Sequence, residues 1–174
     1  CGPICARQTL AEKISGNLSA GPVALASHGT KLLVANRSGA LTIIDTSDSS
    51  IRAEIPLGQK LSAIALTASG ESAIVADELA HEVIVLTLKD GLWQPQQRVS
   101  VPWSPVSLQM AGDDSFCSVA CLWARQLAIV ERAPSADNLS WHVRHVIDLP
   151  FAPRRQWFDP NSKRIVVADA FGGR

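Results

Sequence analysis

Few side chains in this sequence are nucleophilic or metal-binding: four cysteines and four histidines in 174 residues. Cys1 and Cys5 form one C-x3-C pair, and Cys117 and Cys121 form another. Residues four apart on a strand are separated by about 13 Å at Cα, whereas a disulfide needs less than about 7 Å. If their segment is extended, Cys117 and Cys121 cannot bridge each other, and two small core residues are expected. Zinc sites prefer C-x2-C knuckles with matching partners, which the nearby histidines do not supply. The haem-attachment pattern C-x-x-C-H is absent from the sequence. His142 and His145, three apart, point to opposite faces of a strand and cannot hold a metal between them. Whether Cys1 and Cys5 bridge each other stays open.

A second group of residues suits binding rather than catalysis. Arg37, His81, Arg125 and Arg174 each stand in or beside a short turn, and Trp123 and Phe171 add aromatic surface to two of those turns. Arginine with aromatic groups on a rim fits a protein partner or a small anionic ligand. Gln156 is a polar residue where the related segments carry Val23, Ile64 and Leu108. A buried polar side chain must find a hydrogen bond or water, so Gln156 either lines a functional site at the channel or packs against a neighbouring blade outside this chain. The candidate binding set is therefore Arg37, His81, Trp123, Arg125, Gln156 and Arg174. The plain alternative is that the turn residues are solvated and bind nothing. No catalytic, cofactor or metal set emerges.

What positions these residues is a repeat. Four segments share a short apolar strand with a small or polar last residue: Leu32–Asn36, Ala73–Asp77, Cys117–Cys121 and Ile165–Asp169. Taken at the common valine, Val34, Val75, Val119 and Val167 lie 41, 44 and 48 residues apart. A period of roughly 40 to 48 residues holding only strands is that of four-stranded propeller blades. About ten residues upstream of each motif, an alternating segment sets Val23 and Leu25, Ile64 and Leu66, Leu108 and Met110, or Gln156 and Phe158 on one face. Turns rich in Gly, Ser and Asp follow, as hairpins require. Third strands are expected near 41–44, 83–86 and 127–130, and more polar fourth strands near 51–55, 97–101 and 142–146. Polar outer strands discourage edge pairing.

The predicted fold is therefore all-β: a β-propeller of four-stranded antiparallel blades, with about three complete blades plus partial ones. Blades are expected near 22–60, 61–104 and 105–152, with a partial one at 153–174 and a tail at 1–8. Residues 9–14 read as the fourth strand of a preceding blade. Unmatched strands at both ends predict an incomplete propeller whose remaining blades lie outside this chain. The rival is a four-bladed ring closed by the N-terminal strand, which would still lack one strand.

Charge and composition narrow the partners. Sixteen basic and sixteen acidic residues give no net charge, so nothing favours nucleic acid or an anionic membrane. The 47% apolar content is enough for a core. No run of eighteen apolar residues occurs, so no transmembrane helix is expected. The first residue is Cys1 rather than Met, which fits excision from a longer chain or a processed, lipid-modified cysteine. Asn17-Leu18-Ser19 and Asn138-Leu139-Ser140 match the glycosylation pattern, a match that would mean nothing were the protein bacterial.

The Val-Ala-Asn/Asp strand ends, the upstream glycine-containing turns and Thr42-Ile43-Ile44-Asp45-Thr46 resemble YVTN-type β-propeller repeats, across roughly residues 9–174. The literal Tyr-Val-Thr-Asn is missing, and Cys121 replaces the polar end residue in the third copy. WD-repeat propellers fit less well, because neither Gly-His nor Trp-Asp occurs at the repeat positions. The resemblance implies an extracytoplasmic bacterial binding or scaffold module, periplasmic or at the cell surface. The ending Val167 to Arg174 is similar to propellers joined to c-type cytochromes, which implies haem in a separate domain and no cofactor within this chain. The alternative is part of a propeller enzyme, a lactonase-like hydrolase or a periplasmic dehydrogenase. Such enzymes converge acidic or histidine ligands on the channel, where these inner strands offer mainly Ala, Leu, Ser and Gln.

Overall fold

A computed structural model describes residues 23–134, 139–159 and 164–172. The expected strand at 9–14 and Arg174 lie outside the described residues. Three four-stranded antiparallel sheets and one two-stranded sheet follow one another along the chain, with no helix among the described residues. Blade 1 comprises β1 (Val23–His28), β2 (Lys31–Asn36), β3 (Ala40–Asp45) and β4 (Ser50–Pro56). Blade 2 comprises β5 (Leu61–Leu66), β6 (Ser72–Asp77), β7 (Glu82–Lys89) and β8 (Leu92–Ser100). Blade 3 comprises β9 (Pro105–Met110), β10 (Phe116–Cys121), β11 (Gln126–Pro134) and β12 (Leu139–Asp148). A half blade pairs β13 (Pro153–Asp159) with β14 (Arg164–Asp169). Within each full blade the strand order is sequential, and the first strands of successive blades touch, so they line a common axis.

Packing follows from the period of two. Blade 2 is sandwiched, so β6 and β7 are apolar on both faces. Ala73, Val75, Ile84 and Leu86 meet Leu33, Leu41 and Ile43 of blade 1 around buried Trp93. Ile74, Ala76, Val83 and Val85 meet Val119, Cys117 and Cys121 of blade 3 around buried Trp141. Outer strands are mostly exposed, as their polar sequences predict. Cys117 and Cys121 are free, fully buried and on one strand, as expected of core residues. Burial pushes both thiols up to about 12. Since the thiolate is the reactive form, both should resist iodoacetamide at pH 8 in the native protein and react only on unfolding. Mass-spectrometric labelling checks this; rapid native modification of either would show that blade 3 opens.

The polar residue ending each second strand latches the turn that follows. Asn36 Oδ1 accepts from the backbone N–H of Ser38 (3.0 Å) and of Ala40 (3.1 Å). Asp169 Oδ1 accepts from that of Phe171 (3.0 Å). Asp77 does most, because its fully buried carboxylate accepts four backbone N–H groups, from Gln59, Lys60, Leu79 and Ala80. Burial acts to raise its pKa, but the four amide donors outweigh that and hold it below the ordinary carboxylate range. Gly58 is required there, since a Cβ would collide with the Asp77 carboxylate. Cys121 makes no such latch, and its thiol instead donates to the Val119 carbonyl.

Candidate functional site

Alternating strand direction sends the second-to-third-strand turns and the interblade loops to the same face. A repeating backbone pattern joins them. The N–H after each second strand, at Glu78, Leu122 and Ala170, donates to the loop carbonyl of Lys60, Ser104 or Ala152, each at 2.8 Å. In return the N–H groups of Leu57, Val101 and Leu149 donate to the turn carbonyls of Gly39, His81 and Arg125 at 2.9, 2.9 and 2.8 Å. To offer that carbonyl, these three residues take left-handed backbone angles, with φ of 89°, 58° and 54°. Gly39 is obligatory, because a Cβ there would enter the Gly58 carbonyl. His81 and Arg125 carry side chains in the same conformation, which costs an L-residue roughly 1–2 kcal/mol.

The predicted rim residues occupy this face in two groups. Arg37 is not a free cation: it lies 3.6 Å from Glu78, which also holds Lys60 at 3.0 Å, so a charged triad ties the first turn to the second. His81 Nδ1 accepts from the Ser104 N–H (3.3 Å), and the ring stacks on Trp103 with centroids 5.8 Å apart. Trp123 lies against Phe171, centroids 6.0 Å apart and planes tilted by 30°. Arg125 is exposed and has no side-chain partner among the described residues. It opens onto a cavity of about 420 Å³ between blade 3 and the half blade, lined also by Pro150, Phe151, Ala152, Asp169 and Phe171.

Gln156 lies elsewhere. Its Nε2 donates to the carbonyls of Ser107 (2.9 Å) and Ser118 (2.8 Å), and its Oε1 accepts from Ser118 Oγ (2.7 Å). It bonds the half blade to blade 3, so it packs within the described blades and not against a blade outside the chain, and the rim does not include it. At the equivalent seams Ile64 packs in the cluster of Leu33, and Leu108 in that of Ile74. Ser118 stands at the Leu33 and Ile74 position, and this second polar exception in the repeat was the signal for the pair.

Sequence reasoning also missed the loops. Pro102-Trp103-Ser104-Pro105 and Pro150-Phe151-Ala152-Pro153 are copies of one pattern 48 residues apart, each setting an aromatic residue on the rim. Trp103, Trp123 and Phe171 are 69%, 62% and 74% exposed there. The opposite face differs: its described turns are Gly29-Thr30, Thr46 to Ser49, Thr67 to Glu71, Asp90-Gly91 and Ala111 to Ser115, small and polar, with Leu92 beside them. No group of three His, Cys, Asp or Glu side chains gathers to hold a metal among the described residues. No helix of the described residues is long and apolar enough to cross a membrane.

No family model and no curated protein matches the sequence. Solved structures do match it in fold. Hydrazine synthase from Kuenenia stuttgartiensis aligns over 90% of this chain and 45% of its own, at 19% identity and a TM-score of 0.72. The periplasmic gluconolactonase of Pseudomonas aeruginosa aligns over 84% and 46%, at 17% identity and 0.69. The Cps50 (Swd1) β-propeller domain of Myceliophteria thermophila aligns over 86% and 50%, at 14% identity and 0.68. The class of protein is thereby defined as a β-propeller, with three complete blades and a half blade among the described residues. The chain spans about half the length of these structures or slightly less.

Proposed function

We propose that this chain is a binding or scaffold section of an extracytoplasmic β-propeller, recognising a protein or a small anionic ligand through the face of its second-to-third-strand turns. The observation that carries the reading is the gathering of Trp103, Trp123 and Phe171, all exposed, on that one face of a rigid scaffold. Exposed aromatic groups beside an arginine are what binding surfaces use, and loops on a rigid frame are where folds display variable chemistry. The resemblance to cytochrome-linked propellers supports a c-type cytochrome domain elsewhere in the same protein as the natural neighbour. The half blade supports further blades as the first partner. Val166 and Ala168 are exposed on it, although Leu33, Ile74 and Ser118, and Ala35, Ala76 and Ala120, are fully buried at the matching positions.

An enzymatic reading has one observation in its favour, the fold shared with the Pseudomonas aeruginosa periplasmic gluconolactonase. Lactone hydrolysis by the full-length protein that survives Trp103→Ser and Trp123→Ser would favour it. The binding reading is tested by capture of partners from a periplasmic fraction with the full-length protein. Trp103→Ser combined with Trp123→Ser should abolish capture while costing no more than about 1–3 kcal/mol, the loss of two exposed aromatic pairs. Undiminished capture would sink the rim as the binding face.

A further inference from the structure

We infer that the cavity between blade 3 and the half blade is a site for a single carboxylate carried on an apolar body. The inference rests on the binding reading above and names its ligand class. The cavity of about 420 Å³ is walled by Pro150, Phe151 and Phe171, with Arg125 at its edge, and Trp123 extends the Phe171 ring outward. Its volume falls within the roughly 300–1,000 Å³ range of small-molecule sites, which are mostly apolar with a few orienting polar groups. A guanidinium is planar, permanently charged and forked, matching a carboxylate with two parallel N–H donors. Arg125 has no side-chain partner among the described residues, so its donors are available.

Asp169 sets the charge limit. Its carboxylate also lines the cavity and is oriented by the Phe171 N–H at 3.0 Å. Among the described residues the lining carries one basic group, Arg125, and one acidic group, Asp169. One carboxylate can then be accommodated by the guanidinium, while a phosphate dianion or a polyanion meets repulsion. The aromatic lining favours an acid that carries an apolar body, which a small hydrated anion lacks. What remains is an aryl- or alkyl-carboxylate. It could arrive as a free small acid or as the C-terminus of a peptide ending in a large apolar residue, and these share one chemistry.

Arg125 also provides a clean probe. Its φ of 54° is one that glycine takes readily, and Gly39 occupies the equivalent turn position. Arg125→Gly should therefore fold at least as well as the parent. The experiment uses the full-length protein and titrates 3-phenylpropanoate, its amide 3-phenylpropanamide, inorganic phosphate, and a short peptide ending in phenylalanine with a free or amidated C-terminus, followed by calorimetry. The free acid and the free-ended peptide report the two sources separately, and saturable binding of at least one is expected. The corresponding amide should bind at least tenfold more weakly, phosphate should not saturate, and Arg125→Gly should weaken the acid to the level of its amide. Equal affinity for acid and amide, preference for phosphate, absence of binding by either carboxylate, or binding indifferent to Arg125→Gly would each overturn the assignment. A negative result here with rim-dependent partner capture intact would leave the binding face standing and remove only this ligand class.

Discussion

Asp77→Ala should cost the fold about 3 kcal/mol, near the upper end for a buried charge-assisted hydrogen-bond set. Asp77 Oδ2 accepts from the Gln59 N–H at 2.6 Å, and Oδ1 from Lys60, Leu79 and Ala80 at 3.1 Å each. The first two amides belong to the loop entering blade 2 and the last two to the turn after β6. One carboxylate thus pins two segments of the rim together. Alanine leaves all four donors unmatched, and a fully buried site gives water little access. Asp77→Asn keeps one oxygen acceptor but sets an NH2 group against an N–H, and should fall between the two. The pH dependence has a definite sign. The folded pKa is depressed, so the unfolded chain takes up the proton first as pH falls. The stabilisation is complete above about pH 4 and disappears as pH drops through the folded value. Urea unfolding at pH 7 and pH 3 checks this: the parent should lose more stability than Asp77→Asn between the two. Identical losses would show that the carboxylate is not what the amides hold.

Gln156→Leu should destabilise by about 2 kcal/mol, although leucine matches the residues at the equivalent positions of the other blades. The change removes three hydrogen bonds and leaves the buried Ser118 hydroxyl facing an apolar neighbour. Ser118→Ile combined with Gln156→Leu rebuilds the Ile74–Leu108 type of seam and should recover most of the loss. The two substitutions would then show a coupling of more than 1 kcal/mol in a double-mutant cycle. Denaturant unfolding of the parent, both single variants and the double gives the answer. Additive effects would mean that the two side chains do not form one bonded unit.

These cases mark where the sequence could be read and where it could not. The all-β fold of four-stranded antiparallel blades and the burial of Cys117 and Cys121 followed from local patterns: alternation of period two, turn residues, and a repeat of 41 to 48 residues. Arg37 was legible as a turn cation but not as the partner of Glu78, because that pair joins different blades. Gln156 stood out as an exception, and only its partner Ser118 explained it. The aromatic loops at Trp103 and Phe151 escaped notice because they fall between the strands that define the repeat. Their shared Pro-aromatic-x-Pro pattern was nonetheless visible.

The central claim is that one face of this propeller section binds and the other does not. Hydroxyl-radical footprinting of the full-length protein, alone and with its captured partner, tests it directly. Partner binding should protect Trp103, Trp123 and Phe171 strongly while leaving Leu92, beside the turns of the opposite face, as reactive as before. Protection of Leu92 with the three rim aromatics unchanged would contradict the account.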